Sequence, residues 1–136
     1  MIKQPARLYT LIAGLFLLAQ GISTLAFRLY PPLDQAFPQL LAVTQMVPPH
    51  SLLHILTGLL ALAALFWGGE RGVLWFAAAF GLFYPALALY GMITMQPTVF
   101  RLQSFDHPFH LLLGVLGLVA AGISYYRPNI RKKVSL

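Results

Sequence analysis

The residues able to do chemistry fall into two short clusters. His50 and His54 stand four apart, and His107 and His110 stand three apart with Asp106 just ahead of them. Spacings of three and four put two side chains on one face of a helix, so each pair can offer two nitrogens to a common ligand. Both pairs fall in a first helical turn, where the positive end of the helix dipole opposes a second positive charge. The neutral imidazole is the form that ligates metals and haem iron. One chemistry is a zinc or iron site built from His50, His54, His107 and His110, with Asp106 as a ligand or as a carboxylate that orients a ligand ring. Another is a b-type haem or a chlorophyll-type pigment held by His54 and His110. The plain alternative binds nothing: interfacial histidines that cap helix ends and bond to loop carbonyls, with Asp106 capping its own helix.

Other chemistries fail on inventory. The chain has no cysteine, so thiolate ligands, thiol nucleophiles and disulfides are excluded. Four histidines are fewer than the boxes of a membrane di-iron oxygenase require. Ser51 and Ser104 lie near histidines, but no ordered triad or oxyanion hole can be assembled around them. No pair of carboxylates suits acid–base hydrolysis, and no glycine-rich phosphate loop follows a strand. Arginine or acid within the apolar runs, the usual mark of an ion path, is missing. The inventory therefore points away from an enzyme and names no catalytic residue.

The elements that must position the histidines are apolar helices. Hydrophobic residues make up 59% of the chain and charged residues 9%, against about 25% charged in an ordinary soluble domain. Such a chain cannot clothe a water-facing surface, so its solvent is the lipid bilayer. The net charge of +6 comes from basic residues at the ends of apolar runs, a pattern of membrane anchoring rather than of nucleic-acid binding. The chain is expected to form one all-α domain over residues 1–136, with four transmembrane helices at about 8–29, 50–69, 73–95 and 107–126. Twenty residues at about 1.5 Å rise match the roughly 30 Å hydrocarbon core. The first run is longer than a signal-peptide core, and Arg28-Leu29-Tyr30-Pro31 does not resemble a cleavage site, so it is read as a retained span. Pro31 and Pro32 end that span. Gln39 to Met46 is expected to form a short interfacial helix, Pro48-Pro49 to open the second span, Pro85 to bend the third, and Arg127-Pro128 to stop the fourth.

Charge sets the expected orientation. Four crossings put Lys3, Arg7, Arg71, Arg127, Arg131, Lys132 and Lys133 on one side and only Arg28 and Arg101 on the other. Positive residues stay in the cytoplasm, so both termini are expected there, in a bacterial inner membrane or a thylakoid membrane. All four histidines, Asp34 and Asp106 then gather at the outer end.

The chain also repeats itself. His50 to Trp67 reads like an earlier copy of Asp106 to Tyr126, with His54 four residues before Gly58 and His110 four before Gly114. Two related helical hairpins are therefore expected. Gly14 with Gly21, Ala77 with Gly81, and Gly117 with Ala121 are small-residue pairs suited to close helix packing in lipid. Tyr9, Tyr30, Trp67, Trp75, Tyr125 and Tyr126 fall near span ends, as an interfacial belt should.

Four elements, His54-Ile55-Leu56-Thr57-Gly58, the pattern Asp106 … His110 … Gly114, Gly14-Leu15-Phe16 and Gly81-Leu82-Phe83, carry a resemblance. The chain resembles a bacterial family of small four-helix integral membrane proteins known only as a domain of unknown function. The resemblance implies the fold and no activity. Size and the lack of a soluble domain lead to an expected role as a non-catalytic accessory or assembly subunit, partnered by other membrane-protein subunits of a photosynthetic or respiratory complex. The alternative is a cofactor protein using the outer histidines.

Overall fold

A computed structural model describes residues 4–94 and 99–134, with side chains through Tyr126. Lys3, Met95 and Gln96, which figure in the expected tail, third span and second connector, lie outside the described residues. The protein is all-helical, with no strand among the described residues: α1 Pro5–Leu29, α2 Pro31–Ala36, α3 Gln39–Thr44, α4 Pro48–Phe66, α5 Gly69–Thr94 and α6 Asp106–Val134. Four of these, α1, α4, α5 and the Asp106–Tyr126 part of α6, are long and apolar enough to cross a membrane. Only 33–39% of each apolar window is buried inside the bundle. The outer face presents Ile12, Leu82 and Ile93 at 60%, 65% and 79% exposure, a surface that hydrocarbon solvates and water does not.

Prolines punctuate the chain much as the sequence leads one to expect, with two differences. Pro31-Pro32 end α1 and at once open the six-residue helix α2 from its first turn, where a missing N–H is no loss. Arg127-Pro128 does not stop α6, which runs on to Val134. A proline forfeits one helical hydrogen bond, and beyond the apolar span water can take up the freed carbonyl. Pro85 sits inside α5 as expected. The polar turn before α5 needs Gly69, whose φ of +59° lies in the left-handed region.

The bundle is two hairpins in matching register. α1 packs chiefly on α4, and α5 on α6. The buried positions of α1, Ala6, Thr10, Ala13, Gly14, Leu17, Gly21 and Thr24, recur at the same spacing in α5 as Val73, Ala77, Phe80, Gly81, Tyr84, Ala88 and Gly91. Those of α4, His50, His54, Gly58, Ala61 and Leu65, recur in α6 as Asp106, His110, Gly114, Gly117 and Ala121. The glycines mark where backbones meet. A Cβ on Gly58 would lie 2.9 Å from the Gly14 carbonyl oxygen, and one on Gly81 would lie 3.0 Å from that of Gly114. Lipid tails give no hydrophobic drive between helices, so this close approach supplies the packing attraction that holds each hairpin.

Along its axis the bundle changes character. One end is filled by small apolar side chains, Ala6, Leu65, Val73, Ala77 and Ala121. The middle holds Leu17, Phe80 and Tyr84. Tyr9 belongs to this interior rather than to an interfacial belt: its hydroxyl donates to the Leu113 carbonyl at 2.7 Å and its ring meets Phe80 edge-on. Tyr30, Trp67, Trp75, Tyr125 and Tyr126 are exposed near span ends. The other end of the bundle holds the histidines.

Candidate metal centre

Pro48 and Pro49 occupy the first positions of α4 and fix where its first turn begins. That register turns His50 and His54 onto the face that packs inward, together with Ser51. Asp106 opens α6, which sets His110 one turn inside it. The two N-terminal ends face each other across the bundle without backbone contact, and three imidazoles meet between them. Ring centroids are 4.6 Å apart for His50 and His54, 5.8 Å for His50 and His110, and 6.0 Å for His54 and His110. One nitrogen from each ring lies within 4.8 Å of the other two. Around an ion with bonds of about 2.0 Å the nitrogens would stand about 3.4 Å apart, within reach of small ring movements.

These rings are buried inside the bundle. His50 and His54 are 1% exposed and His110 is 0%. None of their six nitrogens has a hydrogen-bond partner. The expected capping does not occur in α4, where Val47 is the cap residue and no side chain bonds to the helix end. The reason is cover from the connectors. Phe100 stands edge-on to His50 at 6.4 Å, Met46 is buried ahead of α4, and Arg28 Nε donates to the Met46 carbonyl at 3.0 Å.

Of the other residues singled out in the sequence, neither joins the three rings. Asp106 is buried, but its Oδ2 accepts from the Gln103 backbone N–H at 2.7 Å, closing the turn before α6. It bonds backward into the connector rather than forward onto its own helix or onto a histidine. His107 is half-buried and lies over Gly91 of α5, in the space the missing side chain leaves. Ser51 Oγ and Thr24 Oγ1 share a hydrogen bond of 2.8 Å that ties α4 to α1 behind the rings.

Tyr84 is the residue that sequence reasoning missed. It is fully buried on α5, stacked on Phe80 at 4.0 Å, edge-on to His110 at 4.9 Å and tilted against His54 at 6.4 Å. Its hydroxyl also has no partner. The available signal was position: Tyr84 falls deep within an apolar run, where a hydroxyl has to find a partner, whereas most other tyrosines sit near span ends.

Residues 7–123, from the start of α1 almost to the end of the apolar part of α6, match the family described as a domain of unknown function, DUF4383. The chain belongs to that family. The match takes in both hairpins and every histidine of this DUF4383 chain. Neither characterised proteins nor solved structures gave a match.

The donor set of this DUF4383 protein is chemically narrow. Three imidazoles meet in the bundle interior with the Tyr84 ring packed beside them, no thiol in the chain and Asp106 already engaged. Buried polar groups without partners are destabilising by about 1–3 kcal/mol each. Each neutral imidazole has one lone-pair nitrogen and one N–H, so the three converging rings can turn three lone pairs toward one electron-pair acceptor.

Proposed function

We propose that this protein is an integral membrane metal-binding protein that holds one first-row transition-metal ion between its hairpins, with His50, His54 and His110 as the ligands. The observation behind this reading is the convergence of three buried imidazoles whose nitrogens have no protein partner. Imidazole suits zinc, copper, iron and nickel. Haem or a chlorophyll-type pigment between His54 and His110 is disfavoured by crowding. His50 stands 4.6 Å from His54, and Tyr84 stands 4.9 Å from His110, in the space a macrocycle would need. Asp106 and His107 serve as neighbours in this reading and not as ligands.

The test is metal content and binding by the full chain purified in detergent. One ion per chain should bind, and His54→Ala or His110→Ala should abolish it while helix content stays unchanged. A protein that binds no added zinc, copper, iron or nickel would refute the reading. A Soret band in the purified protein, lost in the same variants, would move the assignment to haem.

A role as an accessory or assembly subunit of a larger membrane complex is compatible with a metal-holding site. Both termini belong in the cytoplasm on the count of basic residues, which would put the metal site near the outer leaflet of a bacterial inner or thylakoid membrane. An extracytoplasmic signal from a reporter fused behind residue 72 would reverse that orientation.

A further inference from the structure

Resting on the reading that the three imidazoles hold one ion, we infer that the ion is copper in the +1 state, bound by His50, His54 and His110 alone. The first argument is donor number. The three rings converge with no further histidine or acid among the described residues in their set. Zinc in proteins almost always takes four ligands, and copper(II) prefers a tetragonal set. Copper(I), with a filled d shell and no geometric demand from it, is satisfied by three nitrogens in a trigonal array.

Charge gives the second argument. The rings are neutral donors buried at 0–1% exposure, and the work of burying an ion rises with the square of its charge. Asp106 is bonded to the Gln103 amide rather than turned onto the rings, so a divalent ion gains no carboxylate ligand here to offset its second charge. Zinc would restore balance only with an anionic fourth ligand, a hydroxide as in other three-histidine zinc sites or the Tyr84 hydroxyl after loss of its proton. Copper(I) needs neither.

The full chain in detergent would be titrated anaerobically with copper(I) against bicinchoninate, and separately with zinc(II) against a chromophoric chelator. Copper(I) should bind one per chain, tighter than zinc by roughly a hundredfold, the scale set by desolvating a second charge. Tyr84→Phe should leave copper(I) affinity unchanged, and X-ray absorption should report monovalent copper with nitrogen neighbours only. Zinc bound within tenfold of copper(I), and lost in Tyr84→Phe, would overturn the copper assignment while leaving a metal site standing. A sulfur neighbour at the copper, pointing to buried Met46, would overturn the claim that three imidazoles suffice. Binding of neither ion by a chain with intact helix content would remove both this inference and the reading it rests on.

Discussion

The two hairpins differ most where their registers agree. Position for position they bury the same faces and meet at matched glycines, Gly14 against Gly58 and Gly81 against Gly114. His54 and His110 are counterparts, each one turn into its helix. Around them the pairing breaks. Tyr84 stands where the first hairpin has Leu17, Asp106 where it has His50, and the Gly91–His107 contact where it has the Thr24–Ser51 hydrogen bond. Matched positions follow from helix packing, which both halves need equally. Unmatched ones are free of that need, and they cluster around the imidazoles. In the proposed site the third ligand, His50, has no histidine counterpart in the second hairpin, so the site is lopsided although its frame is not.

Three sets of substitutions probe that contrast. The largest effect is expected at the matched ligands. His54→Ala and His110→Ala should each lower metal affinity by more than about a hundredfold, and to a similar degree, whereas Asp106→Asn, changing a neighbour, should cost about tenfold; equilibrium metal titration distinguishes these. Lowering the pH should release the ion in the parent chain, because protons compete for the same nitrogens. A strong effect of Asp106→Asn equal to that of His54→Ala would place the carboxylate among the ligands.

Next come the matched glycines. Gly58→Leu and Gly114→Leu should each destabilise the bundle by about 3 kcal/mol, since the new side chain meets the neighbouring helix; reversible denaturant titration in detergent measures this. A Cβ at Gly58 would already lie 2.8 Å from the Leu18 backbone nitrogen, and one at Gly114 3.1 Å from the Gly81 carbonyl oxygen. Tolerance of one and not the other would mean that the hairpins are held differently.

The smallest effects separate unmatched positions. At Gly21 a Cβ would crowd Ser51 and Ile55 backbone atoms, which cannot give way, so Gly21→Ala should cost about 2 kcal/mol. At Gly91 it would meet the His107 side chain, which can swing aside, and Gly91→Ala should cost under about 0.5 kcal/mol. Thr24→Val falls between them at about 1 kcal/mol for its buried hydrogen bond. The same denaturant titration ranks all three.

Much of the frame was legible in the sequence. Four apolar runs of bilayer length, bounded by prolines and basic residues, give the spans to within a few residues, and the His54–Gly58 and His110–Gly114 spacing marks the repeat. The burial of the histidines was not legible. A first-turn residue reads as exposed unless something covers it, and Phe100, which stands against His50, is placed by how its connector folds back. Which histidines converge was hidden for a similar reason. His107 is drawn aside by the gap at Gly91, and Asp106 by the Gln103 amide, both contacts set by tertiary packing rather than by spacing along one helix. Tyr9 reads as interfacial from its place near a span end, and only the packing of α6 supplies the Leu113 carbonyl that takes its hydroxyl; Tyr84 stands out by its mid-span place, but which rings it meets is set by tertiary packing.

The Arg28 side chain reaches from the end of α1 to the Met46 carbonyl, two residues ahead of α4. That one bond clips the connector back onto the helix it left, so the place where α4 begins is anchored to α1 from both ends of the loop. Arg28→Ala should therefore loosen the start of α4, read as faster amide exchange at His50 and Ser51, while the glycine seam of the first hairpin stays as it is.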